Sequence, residues 1–312
     1  MKSEFRIGTR GSKLALYQAE LVKAKLEQNF HLVKFTLVTI KTSGDMIRRS
    51  TADPFSTKRV YTKEIEDALQ QKEIDLGTHS AKDLAVELPP DLKIAAVLER
   101  EDPRDCLISR EGKKLNELPL GARVGTSAIR RRLQLLRLHP ELIVEDIHGN
   151  VDTRIRKLEE GTVDALVLAY AGVRRLGLTA AVTEIFPEDK FYPAPCQGAI
   201  VVETRSEDPE VKELLHPLNH AESAFRVASE RAFLKRLEGG CQLPCGVTTR
   251  IEGPEKKVTA AGVLFSLDGT QRVEAKVEAG YENPEAIGIR LADEILLKGG
   301  EAILRQMRPK RK

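Results

Sequence analysis

The feature that most constrains the fold is a repeated alternation of short β-type runs with helical patterns. From Phe5 to about Leu98, the strand-like runs FRIGTR, FTLVTIKT, IDLGTHS and LKIAAVL are separated by the helical patterns KLALYQAELVKAKLEQ and TKEIEDALQQKE. Alternation of this kind predicts βαβ units around a mostly parallel sheet. The charged, proline-containing segment EREDPRD at 99–105 follows, and we interpret it as a crossover to a second domain.

The rest of the chain predicts a second α/β unit and a smaller α+β unit. The alternation restarts over about 106–192, and AIVVETR at 199–205 is one further strand whose neighbours the sequence does not identify. The helical HAESAFRVASERAFLKRLEGG follows, and the glycines at 239–240 are expected to end it. Two strands joined by a turn at 267–270 and a long helix from about Pro284 complete the third unit.

Composition argues against several classes of protein. The 50 basic and 47 acidic residues nearly balance and only 4% of residues are aromatic, so nucleic-acid binding is not predicted. The first 13 residues carry five charged side chains, which leaves no apolar run for a signal peptide or a membrane span. We therefore expect a soluble cytoplasmic protein without membrane association. Four scattered cysteines are too few for a disulfide framework, so reduced thiols are expected.

Arginines recur where strands meet helices. In GTSAIRRRLQLLR at 125–137, Thr126 or Ser127 is expected to cap a helix whose first turn carries Arg130 and Arg131. Basic side chains are unfavourable at the positive end of a helix dipole, so an anion is expected there. A solvated basic face would produce the same pattern.

Two more strand ends carry polar side chains suited to binding. THSAKDL at 78–84 follows an apolar strand, and open α/β sheets bind ligands at that position. A polar turn capped by Asp83 is the alternative. IGTRGS, with Arg10, is a further candidate anion-binding turn, and arginines at 154 and 174–175 also lie at the ends of predicted elements.

Cys241 lies in EGGCQLPCGV, a tight loop suited to present a thiol. The C-x-x-x-C spacing to Cys245, without a partner pair, is poor for zinc, so no metal is expected. A buried, inert cysteine is the other interpretation of the residues alone.

Taken in order, RIGTRGSKLALYQA, THSAKDL, EREDPRD, VGTSAIRRRLQL, HGNVDTRIRKL, AYAGVRRLGL, PCQGAIVVE and LEGGCQLPCG resemble the signature segments of the hydroxymethylbilane synthase family, also called porphobilinogen deaminases. The segments span nearly the whole chain. The resemblance implies two α/β domains like those of type II periplasmic binding proteins, with an active-site cleft between them, plus a smaller α+β C-terminal domain. The implied boundaries are 1–99 with 199–217, then 105–193, and then 220–312.

The resemblance also implies an activity, the deaminative head-to-tail polymerisation of four porphobilinogen molecules into the linear tetrapyrrole hydroxymethylbilane, with release of ammonia. It implies a dipyrromethane cofactor attached to Cys241 through a thioether, and no metal. Asp83 matches the family's catalytic aspartate, which stabilises positive charge near the pyrrole nitrogens. Each pyrrole carries an acetate and a propionate, and arginine binds such carboxylates bidentately.

The resemblance assigns further roles residue by residue. We expect a monomer, with porphobilinogen as its small-molecule partner, and we expect Arg131→Ala or Arg10→Ala to impair chain elongation. The implied cofactor-binding residues are Lys82, Thr126, Ser127, Arg130 and Arg131, the substrate-binding residues are Arg10, Ser12, His148, Arg154, Arg175 and Gln197, and the lid lysines are Lys58 and Lys63.

The chain departs from the family pattern in three places. STKRVY at 56–61 replaces a glycine-rich lid segment, His148 replaces an arginine, and Cys196 replaces a small residue in a turn. Because histidine is shorter than arginine and only partly charged near neutral pH, altered substrate docking or elongation is expected.

Two alternative functions share part of this pattern. A family member that loads cofactor but elongates poorly is favoured by His148 and the altered lid. A non-catalytic two-lobed receptor for a polycarboxylate would share the fold and the arginines, but it would not need Cys241.

Overall fold

The computed structural model describes residues 2–43, 61–238 and 243–307. The chain forms two compact units, which we call unit 1 and unit 2. Unit 1 consists of Met1–Glu101 and Gly198–Val227, and unit 2 consists of Asp102–Gln197 and Ala228–Lys312. The chain therefore enters unit 2, returns to unit 1 for one segment, and passes back into unit 2.

The elements are numbered here in chain order over the described residues. The strands are β1 (Glu4–Arg10), β2 (Lys34–Ile40), β3 (Leu76–Ser80), β4 (Leu92–Val97), β5 (Asp105–Ser109), β6 (Arg123–Gly125), β7 (Ile143–Glu145), β8 (Ala165–Ala169), β9 (Glu184–Ile185), β10 (Ile200–Arg205), β11 (Cys245–Glu252), β12 (Lys257–Phe265) and β13 (Arg272–Ala279). The α-helices are α1 (Lys13–Asn29), α2 (Lys63–Gln70), α3 (Ile129–Leu138), α4 (Val151–Glu159), α5 (Tyr170–Arg175), α6 (Pro209–Leu215), α7 (Ala221–Arg236), α8 (Pro284–Ile295) and α9 (Glu301–Met307).

Unit 1 is built on a five-stranded sheet in the order β2-β1-β3-β10-β4. β1 runs parallel to β2 and β3, whereas β10 runs antiparallel to β3 and β4. Apolar side chains cover both faces: Val22 and Leu214 belong to the core on one face, and Ile65 and Leu69 of α2 belong to the core on the other. A sheet buried on both faces leaves its strand ends as the accessible edges.

Unit 2 contains a second five-stranded sheet in the order β7-β6-β8-β5-β9. β6 runs parallel to β7 and β8, and β5 is antiparallel to both β8 and β9. Leu135 of α3 packs in the core on one face, and Leu158 of α4 and Val173 of α5 pack in the core on the other. In both five-stranded sheets the fourth strand in the order is antiparallel to both of its neighbours.

The C-terminal part of unit 2 is a three-stranded antiparallel sheet, β11-β12-β13, with α8 packed on it. The predicted turn at 267–270 is confirmed, with Gly269 at a φ of 74° between β12 and β13. The prediction of a single long helix from about Pro284 was wrong. α8 and α9 are separated by a kink at Gly299, whose φ of 113° is not helical. Phe265 and Val263 of this sheet pack against Leu133 of α3 and Tyr192.

The α/β fold class with an additional α+β unit is confirmed. Among the helices of the described residues, none is both long and apolar enough to cross a membrane.

Candidate functional site

The candidate residues of unit 1 lie at one edge of its sheet. Arg10 ends β1, and Lys82 and Asp83 form a short 3₁₀ turn directly after β3. Since β1 and β3 are neighbouring parallel strands, with Gly8 paired to Gly77, their carboxyl ends meet at the same edge. The structure therefore brings these three side chains to one place.

The Asp83 carboxylate is half-buried and has no hydrogen-bond or ion-pair partner among the described residues. It does not cap a regular helix, so the alternative interpretation of this turn as a simple polar cap is not supported. The preceding His79 is different, because its Nε2 lies 3.1 Å from Glu203 Oε2 and both side chains are buried. Among the described residues neither His79 Nε2 nor the Glu203 carboxylate oxygens have a hydrogen-bond partner, so the pair is a close contact and not a hydrogen bond.

Arg10 and Ser12 at this edge have structural contacts of their own. The Arg10 guanidinium lies over the Tyr61 ring, 4.3 Å from its centroid, in a cation–π contact. Ser12 is the N-cap of α1, and its Oγ accepts a hydrogen bond from the backbone N of Ala15 at 3.2 Å. A hydroxyl that accepts one hydrogen bond still has its own proton to donate, so the cap does not exclude substrate binding. Lys63 is exposed at the first position of α2.

In unit 2 the helix after β6 begins later than predicted. The N-cap of α3 is Ala128, which has no side chain to accept a hydrogen bond, so the expectation of Thr126 or Ser127 as cap was wrong. Thr126 is buried, and its Oγ1 accepts a hydrogen bond from the N of Ala128 at 3.3 Å, so it closes the turn before the helix. Ser127 is exposed.

Two of the arginines of α3, Arg130 and Arg131, are buried rather than projecting into solvent. Arg130 is 4% exposed and Arg131 is 5% exposed, and both bind Asp105, which is completely buried at the start of β5. Arg130 Nη1 donates to Asp105 Oδ2 at 2.7 Å. Arg131 Nε and Nη2 donate to Asp105 Oδ1 at 3.0 and 2.8 Å, and its Nη1 donates to the carbonyl of Val167 at 3.0 Å. A solvated basic face, the other interpretation of this motif, is therefore wrong.

The electrostatics of this cluster leave an excess of positive charge. Burial alone would raise the pKa of the Asp105 carboxyl, but the two guanidinium groups lower it to about 2. Burial lowers the pKa of Arg130, and Asp105 opposes that effect. In the described part of the chain, Asp105 is the carboxylate that pairs with both guanidiniums, so two positive charges face one negative charge. A buried excess charge is costly unless an anion compensates it.

Gln197 joins the same cluster. Its Nε2 donates to Asp105 Oδ1 at 2.9 Å and to the carbonyl of Pro103 at 2.7 Å, and the side chain is fully buried. Cys196, which precedes it, has a φ of 61°, a left-handed conformation that favours glycine. The backbone N of Cys196 donates to Glu230 Oε2 at 2.6 Å, which helps to hold this turn. Gln197 is thus fixed beside the arginines.

The other predicted substrate-binding residues of unit 2 follow the carboxyl ends of β7 and β8, which are both parallel to β6. His148 follows β7, and its Nε2 lies 3.1 Å from Asp146 Oδ2. Arg154 Nε donates to the carbonyl of Gly149 at 2.8 Å, so Arg154 lies close to His148 along this loop. Arg175 lies in the last turn of α5, which directly follows β8. These three side chains are partly exposed, unlike the Asp105 cluster.

Two predicted residues, Cys241 and Lys58, lie outside the described residues. Sequence reasoning missed Asp105 and Gln134, which contact the arginines or their neighbours. Asp105 lies in EREDPRD, the charged, proline-containing segment that we interpreted as a crossover. The i,i+4 spacing of Gln134 from Arg130 on one helix face was its available signal.

The cluster fits a ligand that carries carboxylates. Arg130 has its Nε and Nη2 without a partner in the described ranges, and neither atom is completely enclosed. Those two atoms form the edge of a guanidinium that binds a carboxylate bidentately. Within the described ranges there is no group of three or more His, Cys, Asp or Glu side chains that would hold a metal ion.

Comparison with known proteins agrees with this chemistry. Residues 5–213 match the family model described as porphobilinogen deaminase, dipyromethane cofactor binding domain, and residues 224–297 match the porphobilinogen deaminase C-terminal domain. The chain belongs to the porphobilinogen deaminase family. The family resemblance inferred from the signature segments is therefore confirmed, and members of the family are transferases.

Curated relatives match over nearly their whole length. The porphobilinogen deaminase of Carboxydothermus hydrogenoformans is 44% identical over 308 residues, covering 99% of this chain and 98% of the relative. That of Pelotomaculum thermopropionicum is 46% identical over 308 residues, covering 99% of this chain and 98% of the relative. Among solved structures, the methionine-binding protein MetQ aligns at 15% identity with a TM-score of 0.46, covering 73% of this chain and 95% of MetQ.

Proposed function

We propose that this chain is a hydroxymethylbilane synthase. It joins four porphobilinogen molecules head to tail into the linear tetrapyrrole hydroxymethylbilane and releases ammonia. The dipyrromethane implied by the cofactor domain would be attached to the Cys241 thiol. This proposal rests on the family membership of the chain and on the chemistry of the residues at the two sheet edges.

The observation that carries the proposal is the excess positive charge around Asp105. Arg130 and Arg131 are nearly fully buried against a single carboxylate. Pyrrole rings that carry acetate and propionate groups supply the missing negative charge, and arginine holds such groups with two parallel hydrogen bonds. Lys82, Thr126 and Ser127 are proposed to assist, since each lies just after the carboxyl end of a parallel strand.

Asp83 is proposed to act on the reacting rings. Its carboxylate is half-buried and unpaired in the described part of unit 1, so it is available to accept N–H groups and to stabilise positive charge near them. When bound, dipyrromethane supplies a primer with a free α-carbon to which new rings are joined. Arg10, Ser12, His148, Arg154, Arg175 and Gln197 are proposed to bind the carboxylates of incoming porphobilinogen.

Three finer properties are part of the proposal. The protein is expected to be cytoplasmic and monomeric, without nucleic-acid or membrane partners. Its domains are proposed to be 1–99 with 199–217, then 105–193, and then 220–312. Lys58 and Lys63 are proposed to belong to a lid.

The test is the mass of the denatured intact protein before and after brief exposure to porphobilinogen, with Cys241→Ser as the control. We expect wild-type protein to carry one dipyrromethane and then to show a ladder of added pyrrole units, while Cys241→Ser gains nothing.

The two alternatives give different results in the same measurement. A mass raised by one dipyrromethane without a ladder would mean a primed but elongation-defective protein. A mass that stays unmodified when porphobilinogen is supplied would favour a polycarboxylate receptor and overturn the proposal.

A further inference from the structure

A buried glutamine of α3 holds the peptide group that Arg130 binds. Gln134 is 4% exposed and lies one helical turn after Arg130. Its Oε1 accepts a hydrogen bond from the backbone N of Tyr192 at 2.7 Å, and its Nε2 donates to the carbonyl of Tyr192 at 3.1 Å. Arg130 Nη1 donates to the same carbonyl. One backbone residue is therefore bound on both its polar groups by side chains of a single helix face.

This arrangement decides which edge of Arg130 stays available. The two hydrogens of Nη1 have two fixed acceptors, Asp105 Oδ2 and the carbonyl of Tyr192. With both acceptors in place the guanidinium plane cannot rotate, and the edge formed by Nε and Nη2 is left without a partner in the described ranges. Arg131 differs, because its equivalent edge is used by Asp105.

Tyr192 is itself fixed from the side of the C-terminal sheet. Its hydroxyl donates to Glu274 of β13, and its ring packs with Leu133 and Phe265. A Cβ at Gly246 of β11 would lie 2.5 Å from the Tyr192 Cβ and 3.0 Å from its carbonyl oxygen, so this strand passes directly against Tyr192.

That contact joins Arg130 to the strand that follows Cys241 in the chain. β11 begins at Cys245, four residues after Cys241 in the chain. The position of Tyr192 therefore depends on α3 on one side and on β11 and β13 on the other.

We propose that Gln134 is a positioning residue for Arg130. Through the carbonyl of Tyr192 it holds the free edge of Arg130 in place for a carboxylate of the bound pyrrole chain, and Glu274 fixes Tyr192 through the side-chain hydroxyl. This inference rests on the proposed function and deepens it. Without Gln134, the buried N–H of Tyr192 loses its acceptor, and the carbonyl that orients Arg130 loses one of its two donors.

The test uses full-length protein produced without porphobilinogen and therefore unloaded. The rate of covalent mass gain at Cys241 is measured against porphobilinogen concentration for wild type, Gln134→Met and Leu135→Met. Methionine matches glutamine in length but makes neither hydrogen bond. Leu135 is the next residue on the helix and is also buried, in the core of the second sheet, so it controls for disturbance of α3.

We expect Gln134→Met to fold, with an unchanged circular dichroism spectrum, and to raise the half-saturating porphobilinogen concentration for loading by about tenfold or more. The limiting rate should change much less, because a misplaced Arg130 weakens binding of the carboxylate but takes no part in bond formation. Leu135→Met should behave as wild type. A folded Gln134→Met protein that loads at the wild-type concentration would overturn the inference, as would an equal effect in Leu135→Met.

A second variant covers the case in which Gln134→Met does not fold. Tyr192→Phe keeps the peptide clamp but releases the ring from Glu274, and we expect a smaller rise in the same concentration. No rise in Tyr192→Phe would count against the inference. If wild-type protein itself gains no mass, the proposed function fails instead, so the two failures are distinguishable.

Discussion

Asp105 holds together the part of the site that sequence reasoning could not assemble. It is 25 and 26 residues from its two arginine partners along the chain, and it lies in the charged, proline-containing segment interpreted as a crossover. The arginine motif itself was found from sequence, because three basic residues at a helix start conflict with the helix dipole. The identity of the partner was not predictable, since nothing local to EREDPRD indicates which acid the second sheet buries.

Replacing Asp105 by Asn should destabilise the fold strongly. The pKa of this carboxyl is about 2 in the folded protein, below its ordinary value of 3.8. Its stabilising effect is therefore present above about pH 4 and is lost as the pH falls towards 2. At neutral pH we expect Asp105→Asn to lower the free energy of unfolding by about 3–5 kcal/mol, because two buried guanidiniums lose their counter-charge.

Urea unfolding at neutral pH and at about pH 3 checks this expectation, and the gap between wild type and variant should narrow at the lower pH. Asp164→Asn is the matched control, since Asp164 pairs with arginines of the same unit near the surface, where its side chain is 29% exposed. Its loss should be about 1 kcal/mol or less. Equal decreases in the free energy of unfolding of the two variants would show that the buried Asp105 contributes no more to stability than an ion pair near the surface.

Asp83→Asn should separate catalysis from stability. The carboxylate has no partner among the described residues, so its removal should change the free energy of unfolding by less than about 0.5 kcal/mol. Elongation should fall by about 10²–10³-fold, because the charge near the pyrrole nitrogens is no longer stabilised.

The mass ladder after exposure to porphobilinogen measures the elongation rate, and thermal unfolding measures stability. Asp91→Asn serves as control, because Asp91 binds Gln70 at the protein surface in the same unit. A normal ladder in Asp83→Asn would remove this residue from the reaction.

At the scale of elements, α1 shows how one side chain can have a structural and a functional part. Ser12 was assigned to substrate binding by family matching, and the structure makes it the N-cap of α1. Replacement by Ala should cost about 1 kcal/mol of stability from the lost cap. If the hydroxyl proton also reaches a substrate carboxylate, KM for porphobilinogen should rise as well.

Asn283→Ala is the matched comparison, because Asn283 caps α8 in the same way, accepting from the N of Ala286 at 3.0 Å. We expect similar losses in urea unfolding for both variants and a raised KM in Ser12→Ala alone. Unchanged stability in Ser12→Ala would contradict the capping role.

Element types were predictable from sequence, and some element ends were not. The alternation of strand and helix patterns gave β1 to β4 and their helices, because apolar periodicity is local. The start of α3 was predicted wrongly, because Thr126 and Ser127 are favoured N-cap residues. The N-cap in the structure is Ala128. The hydroxyl of Thr126 instead accepts a hydrogen bond from the N of Ala128, in the turn that precedes the helix.

At the scale of the whole molecule, the position of β10 in the sheet could not be predicted from the sequence. AIVVETR reads as a strand, but its insertion between β3 and β4 joins segments more than 100 residues apart. The equivalent fourth position of the second sheet is filled by β5, the first strand after the chain enters unit 2. Pairing at such distances depends on the complete packing of both faces, which local patterns do not encode.

Loading with cofactor should stabilise the whole molecule, because the buried cluster of unit 2 carries more positive than negative charge. A group that binds the native state alone raises the unfolding temperature. Two charge-assisted hydrogen bonds to Arg130, at about 1.5 kcal/mol each, are worth about 3 kcal/mol, which corresponds to roughly 5 °C in a chain of this size. Differential scanning calorimetry of loaded and unloaded wild-type protein measures the difference.

Two variants locate the origin of that gain. Under the proposed function Cys241→Ser is not loaded, and it should unfold at the temperature of unloaded wild type even after exposure to porphobilinogen and dialysis. Arg130→Gln should load to some extent but gain much less than wild type, because the edge that binds the carboxylate is gone. Loaded and unloaded wild-type proteins that unfold at the same temperature would mean that the carboxylates do not reach Arg130, and the excess charge around Asp105 would then need another counter-ion.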